Sequence, residues 1–182
     1  MTRILCIDTF LGSVEHWVDP SYRAALQREG GRPTIYEKFI GNTIARGNGG
    51  VVFPLPIDSV NAALLLTNFQ FDADLIYLDA AHDYDSVTSD LIRFLALLSP
   101  NGLIFGDDYQ YVPVAKAVHA FAEARGLSVF VSSMKWMLAT PLVSAILLAS
   151  PGYEERDSRD GWVHPDERRD NCAVSQFVVG QV

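Results

Sequence analysis

Three aspartates and a histidine stand at two places where this chain could do chemistry. Asp79 closes the apolar run Leu75-Ile76-Tyr77-Leu78, His82 follows three residues later, and Asp107-Asp108 closes the run Leu103-Ile104-Phe105. Carboxylates crowded together repel one another and take up protons unless a cation or a donor-rich ligand sits among them. All-oxygen ligands suit Mg²⁺ or Ca²⁺, and an imidazole beside them supplies a general base. The sequence therefore predicts a metal site built from Asp79, Asp107 and Asp108. Carboxyl oxygens of Asp79 and of Asp107 or Asp108 are expected within roughly 6 Å, close enough to share one ion.

The elements around these residues must bring them together. Leu75 to Leu78 reads as a buried strand. Asp83 or Asp85 can cap a following helix whose apolar positions Val87, Leu91, Phe94, Leu95 and Leu98 fall at helical spacing. Ser99-Pro100-Asn101-Gly102 stops that helix, and Leu103 to Phe105 is the next strand. Strand, helix, strand over this length is a βαβ unit with parallel strands. Neighbouring parallel strands, about 4.8 Å apart, end at one edge of the sheet, where open α/β sheets bind ligands.

The chain has 182 residues, with 49% hydrophobic and 20% charged residues, which suits one globular domain. Its formal net charge of −8 argues against a general nucleic-acid or anionic-membrane surface. Cys6 and Cys172 lie far apart with no CxxC, as expected of reduced thiols in a cytoplasmic protein. No signal peptide is visible, and the run from Met137 to Ala149 is too short to span a membrane and contains Pro141.

Taken in order, Ile4 to Ile7 reads as a strand ending in Asp8, and Thr9 to Pro20 as a loop with His16 and Trp17. Helical patterns follow over Ser21–Arg28 and Pro33–Arg46, then a strand Val51–Phe53 and a helix capped by Asp58 or Ser59. Beyond the βαβ unit, Val112–Arg125 reads as a helix. Leu127–Val131, Lys135–Ala139 and Leu142–Leu148 read as strands. Pro151 to Asn171 is charged without apolar period and reads as an exposed loop, before a strand-like Ala173–Val179. The pattern predicts a doubly wound, mostly parallel α/β domain over residues 1–150. Residues 151–182 would form a charged loop and strand packed on it.

Some of these residues have plainer roles. Asp8 can cap its own loop, and His82 can bond a backbone carbonyl. Asp83 and Asp85 can be helix-start residues. His119 lies mid-helix and His164 in the charged stretch. His16-Trp17 can line an acceptor pocket or pack over the loop, while Lys135-Trp136 reads as a structural strand pair.

The segments IDTFLGSVEHW, ADLIYLDAAHDYDSV, LSPNGLIFGDDY and KWM together resemble the class I S-adenosylmethionine-dependent methyltransferases, and within them methyltransferase domain family 24. The resemblance covers about residues 4–140. It implies a Rossmann-like fold with strand order 3-2-1-4-5-7-6. It also implies a ribose-binding role for Asp8, adenine contacts from Asp58 and Ser59, Mg²⁺ at Asp79 and Asp107-Asp108, and His82 as base. Asp79 and His82 are then the expected catalytic pair and a small-molecule hydroxyl the acceptor. The family's first strand and glycine-rich loop should precede Ile4, where only Met1-Thr2-Arg3 stand, so an N-terminally truncated member is expected. S-adenosylmethionine is then expected to bind weakly, or in a homo-oligomer that supplies the missing loop. A degenerate methyltransferase-fold binding or assembly protein is the alternative reading. A metal-dependent hydroxylase is a more distant one, without a two-histidine, one-carboxylate triad. Something must fill the central gap in the sheet, and Ala173–Val179 is the expected candidate.

Overall fold

The computed structural model describes residues 2–149, 154–156 and 177–180. In chain order the first elements are β1 (Arg3–Ile7), α1 (Val14–Val18), α2 (Pro20–Arg23), a 3₁₀ turn over Ala24–Leu26, β2 (Arg28–Glu29), β3 (Arg32–Pro33), α3 (Ile35–Ala45) and β4 (Val52–Leu55). The central part is α4 (Ser59–Asn68), β5 (Ala73–Leu78), α5 (Tyr84–Leu95), β6 (Leu98–Gly106) and α6 (Val112–Glu123). There follow β7 (Ser128–Ser132), β8 (Lys135–Ala139), α7 (Pro141–Leu148), β9 (Glu154–Arg156) and β10 (Phe177–Gly180).

Eight strands form one sheet in the order β4-β1-β10-β5-β6-β8-β7-β9, and β2 pairs with β3 apart from it. The pairs β1/β4 and β5/β6 are parallel, as βαβ connections require. Without β10 and β9, the order is the expected one around an open first-strand position. That position is filled by β10, antiparallel to both neighbours: Val178 stands opposite Leu5 on one side and Ile76 on the other. A strand there gives the facing edges of β1 and β5 backbone partners, and each buried unpaired group would cost about 1–3 kcal/mol. Residues 173–176 of the expected strand lie outside the described residues.

A single core joins sheet and helices. Ile7, Ile76, Ile104 and Trp136 from the strands pack with Leu66, Leu91, Phe94, Val118 and Phe121 from α4, α5 and α6. Burying such a side chain stabilises the fold by roughly 1.5–3 kcal/mol. The connections from β4 through β7 carry α4, α5 and α6, which share one core with the sheet; such crossovers are right-handed as a rule. Among the described residues no helix is long and apolar enough to cross a membrane. Cys6 is a buried free thiol, and Cys172 lies outside the described residues.

Several local expectations are corrected. Residues 142–148 belong to helix α7, not a strand, because Pro141 pre-sets the first helical turn after extended Thr140. A short apolar run cannot be assigned by periodicity alone. The helix expected over 21–28 is shorter, ending in the 3₁₀ turn, and Gly30-Gly31 turns a small hairpin between β2 and β3. The loop 9–20 contains α1. Ser99 to Gly102 belong to β6, yet the ladder to β5 jumps there from Ala73↔Leu98 to Leu75↔Leu103. Residues 154–156 within the expected loop pair with β7 at the sheet's edge.

Candidate functional site

The site is built at the carboxyl edge of β5 and β6. Their register sets Leu78 beside Gly106, so Asp79 and Asp107 leave the sheet side by side. Gly106 has no room for a side chain: a Cβ there would lie 2.3 Å from Trp136 Cζ2 and 2.5 Å from the Leu78 carbonyl oxygen. The buried Trp136 indole also donates to the Asp107 carbonyl at 2.8 Å, fixing the strand end. The next residue, Asp108, has φ +64°, a left-handed conformation that Asp tolerates better than most residues.

Each carboxylate has a different environment. Asp107 Oδ2 accepts from the Tyr77 hydroxyl at 2.8 Å and from the Lys135 ammonium. Its Oδ1 accepts from the Asp108 backbone N–H at 2.9 Å. Asp108 Oδ2 meets His82 Nε2 at 2.9 Å, and the His82 ring stacks on Tyr111 with centroids 4.7 Å apart. Among the described residues, Asp79 is the least satisfied of the three. The nearest donor to its Oδ2 is the Tyr77 hydroxyl at 3.5 Å, and that hydroxyl's one proton is closer to Asp107.

The electrostatics follow. Burial first, and then the charges of Asp108 and Asp107, push the Asp79 carboxyl up to about 6; Lys135 and His82 only partly offset this. Burial also acts to raise Asp107, but its hydrogen bonds from Lys135, the Asp108 N–H and Tyr77 prevail and hold it below the usual range. Lys135 is raised, chiefly by its bond to Asp107, and burial pushes the Tyr77 phenol up to about 12. A pocket opens beside this cluster, lined by Asp79, His82, Asp90, Asp107, Asp108 and Trp136 among others.

The other expected site residues stand apart. Asp8 follows β1, two strand spacings or roughly 10 Å across β10 from the end of β5. Its Oδ1 accepts from the Phe10 N–H at 2.7 Å, and burial raises its carboxyl despite that bond. Asp58 caps α4, accepting from the Asn61 backbone N–H at 2.9 Å and side-chain amide at 2.7 Å. Ser59 opens α4 near Asp90: burial raises the Asp90 carboxyl, and Ser59 partly offsets this. Asp83 caps α5 through the Ser86 N–H at 2.9 Å. Trp17 packs over the loop, donating to the Leu11 carbonyl, and buried His119 bonds the Tyr109 hydroxyl at 2.9 Å.

Three residues of the site escape the sequence reading. Lys135, read as half of a strand pair, stands across from Asp107, because the antiparallel ladder pairs Gly106 with Trp136. Strand order 5-7 in the resembled fold carries that signal, once the register is counted. Tyr77 hides inside an apolar run. Asp90, 6% exposed, interrupts the buried stripe Val87, Leu91, Phe94 of α5.

The donor sets decide what could bind. Asp8 is a half-buried carboxylate with acceptor capacity left for hydroxyl donors, and Asp58 has lone pairs beyond its cap, so both fit a nucleoside. Mg²⁺ is expected at Asp79, Asp107 and Asp108. A cation, the Lys135 ammonium, is already bonded to Asp107. Among the described residues no group of three or more His, Cys, Asp or Glu side chains is disposed to hold a metal ion.

Comparison with known proteins adds the following. A family described as a methyltransferase domain matches residues 2–109. No curated protein matches the sequence. Among solved structures, the fold is similar to a Staphylococcus aureus protein provisionally described as a caffeoyl-CoA O-methyltransferase. The identity is 11% and the TM-score 0.48, over 76% of this chain and 77% of that one.

Proposed function

This chain belongs to the methyltransferase domain family, and from that premise we propose that it methylates a hydroxyl of a small molecule, with S-adenosylmethionine as donor. Asp8 would receive the ribose hydroxyls, and Asp58 with Ser59 the adenine. When bound, the cofactor supplies an electrophilic sulfonium methyl. The chain's own task is to orient the acceptor and remove its proton.

The observation that carries this reading is Asp79: a carboxylate pushed up to about 6, in a pocket, whose nearest donor among the described residues is the Tyr77 hydroxyl at 3.5 Å. A base with a pKa near the working pH combines the right protonation state with proton-transfer drive. Asp79 accepts the acceptor's proton. His82, held by Asp108 and stacked on Tyr111, aligns the hydroxyl from the other wall. Lys135 already bonds Asp107, one of the three expected Mg²⁺ ligands, and the proton transfer proposed here runs through Asp79 rather than through a metal. The net charge of −8 supports a small-molecule partner over a nucleic acid, and a cytoplasmic location is part of the same proposal.

A second reading, a binding or assembly protein without activity, is favoured by β10. It runs antiparallel where the family's first strand would run parallel and lead into the cofactor loop. A homo-oligomer supplying that loop would reconcile the two.

Transfer of radiolabelled methyl from S-adenosylmethionine to a panel of phenols, sugars and hydroxy acids tests the first reading. Asp79→Asn is expected to slow transfer by roughly 10²–10⁴-fold. Transfer that Asp79→Asn leaves untouched would contradict the assignment of the base.

A further inference from the structure

We propose that Lys135 is the built-in cation of the acid cluster, occupying the electrostatic position of a divalent metal and closing the site to metal ions. Its ammonium bonds Asp107 Oδ2 and lies 3.1 Å from the Tyr77 hydroxyl, over whose ring it sits at 5.3 Å. One positive charge thus meets the carboxylate and the phenol that join β5 to β6.

The placement follows from the sheet. Register across β6 and β8 sets residue 135 opposite residue 107, so the side chain reaches Asp107 without a loop movement. Trp136, buried beside it, fixes the backbone on which Lys135 stands. Asp107 is bonded to Lys135 and Asp108 meets His82, whereas among the described residues Asp79 has no ion-pair partner. An entering ion would therefore have to break an existing ion pair and meet an ammonium at close range. Without the ammonium, Asp79 and Asp107 would both face the Tyr77 hydroxyl and lose the positive charge that Lys135 places there. Oxygen donors of that kind draw in a hard cation.

The test uses the full chain with Mn²⁺ alone as probe, free ion being counted by electron paramagnetic resonance. It needs no cofactor or acceptor, so its outcome is independent of methyl transfer. Wild type and Lys135→Arg are expected to take up no stoichiometric Mn²⁺. Lys135→Met and Lys135→Gln should each take up one ion per chain, bound at least about tenfold more tightly than by wild type. Adding Asp107→Asn should abolish that gain. The Lys135 side chain is 54% exposed, so these variants should keep the fold, as circular dichroism will verify. Stoichiometric uptake by wild type that Asp107→Asn removes would overturn the proposal. So would folded Lys135→Met and Lys135→Gln proteins that take up no ion.

Discussion

His82 Nε2 and Asp108 Oδ2 meet at 2.9 Å, and the aspartate makes that contact from a left-handed backbone, φ +64°. Two energies are therefore superposed at Asp108, a largely buried contact with His82 and a strained turn. Asp108→Asn removes the carboxylate's charge but keeps a residue that tolerates the turn, and should cost about 1 kcal/mol. Asp108→Val adds a β-branched side chain at positive φ and should cost roughly 1–3 kcal/mol more. Urea denaturation of both variants will measure the difference; equal costs would mean that the turn carries no strain.

Asp79 makes stability depend on pH. Its folded pKa, about 6, lies above the ordinary 3.8, so the native state binds more protons between those values. Stability from this group is then greatest at low pH and falls as pH rises from about 4 through 6. Asp79→Asn should therefore stabilise the protein at pH 8, by on the order of 1 kcal/mol after solvent screening, and have little effect at pH 4. Thermal melts across this range should show the two curves converging at the acid end. A variant less stable than wild type at pH 8 would show that Asp79 is better satisfied than its contacts imply.

Gly106 sets how closely β6 can approach Trp136. A methyl group at this position meets the indole and the Leu78 carbonyl within 2.5 Å, so neither a rotamer change nor a small shift relieves it. Gly106→Ala should destabilise the fold by roughly 1–3 kcal/mol. It should also weaken the Lys135–Asp107 pair, because Trp136 positions β8. Loss of stability with Gly106→Ala no greater than with an exposed Gly50→Ala would refute the close packing.

Strand β10 can be tested by its backbone alone. Val178 is paired on both sides, to β1 and β5, whereas Glu155 lies in the edge strand β9. Proline removes a ladder donor and is tolerated mainly at edges. Val178→Pro should cost about 3 kcal/mol or more, and Glu155→Pro markedly less. Similar urea midpoints for the two variants would place residues 177–180 outside the sheet.

The sequence carried the βαβ unit clearly, because Leu75–Leu78 and Leu103–Phe105 are apolar runs flanking a helix with an amphipathic stripe. It also carried the meeting of Asp79 with Asp107-Asp108, since parallel strands end at one edge. The direction of β10 was not legible: an apolar segment such as Ala173–Val179 fits a slot in either sense. Nor was α7, whose apolar run has no period to separate helix from strand. Lys135 was missed for a physical reason. Its partner is 28 residues away, and only the antiparallel register of β6 and β8 brings them together. An isolated lysine before a tryptophan is silent on that point.

The most direct measurement is calorimetric titration of S-adenosylmethionine into the full chain, wild type beside Asp8→Ala. The account predicts saturable heat in wild type, with affinity reduced at least about tenfold in Asp8→Ala, as loss of charged hydrogen bonds to the ribose requires. A folded wild-type protein that gives no heat at any cofactor concentration, as a monomer or as an oligomer, would contradict it and leave the non-catalytic reading in its place.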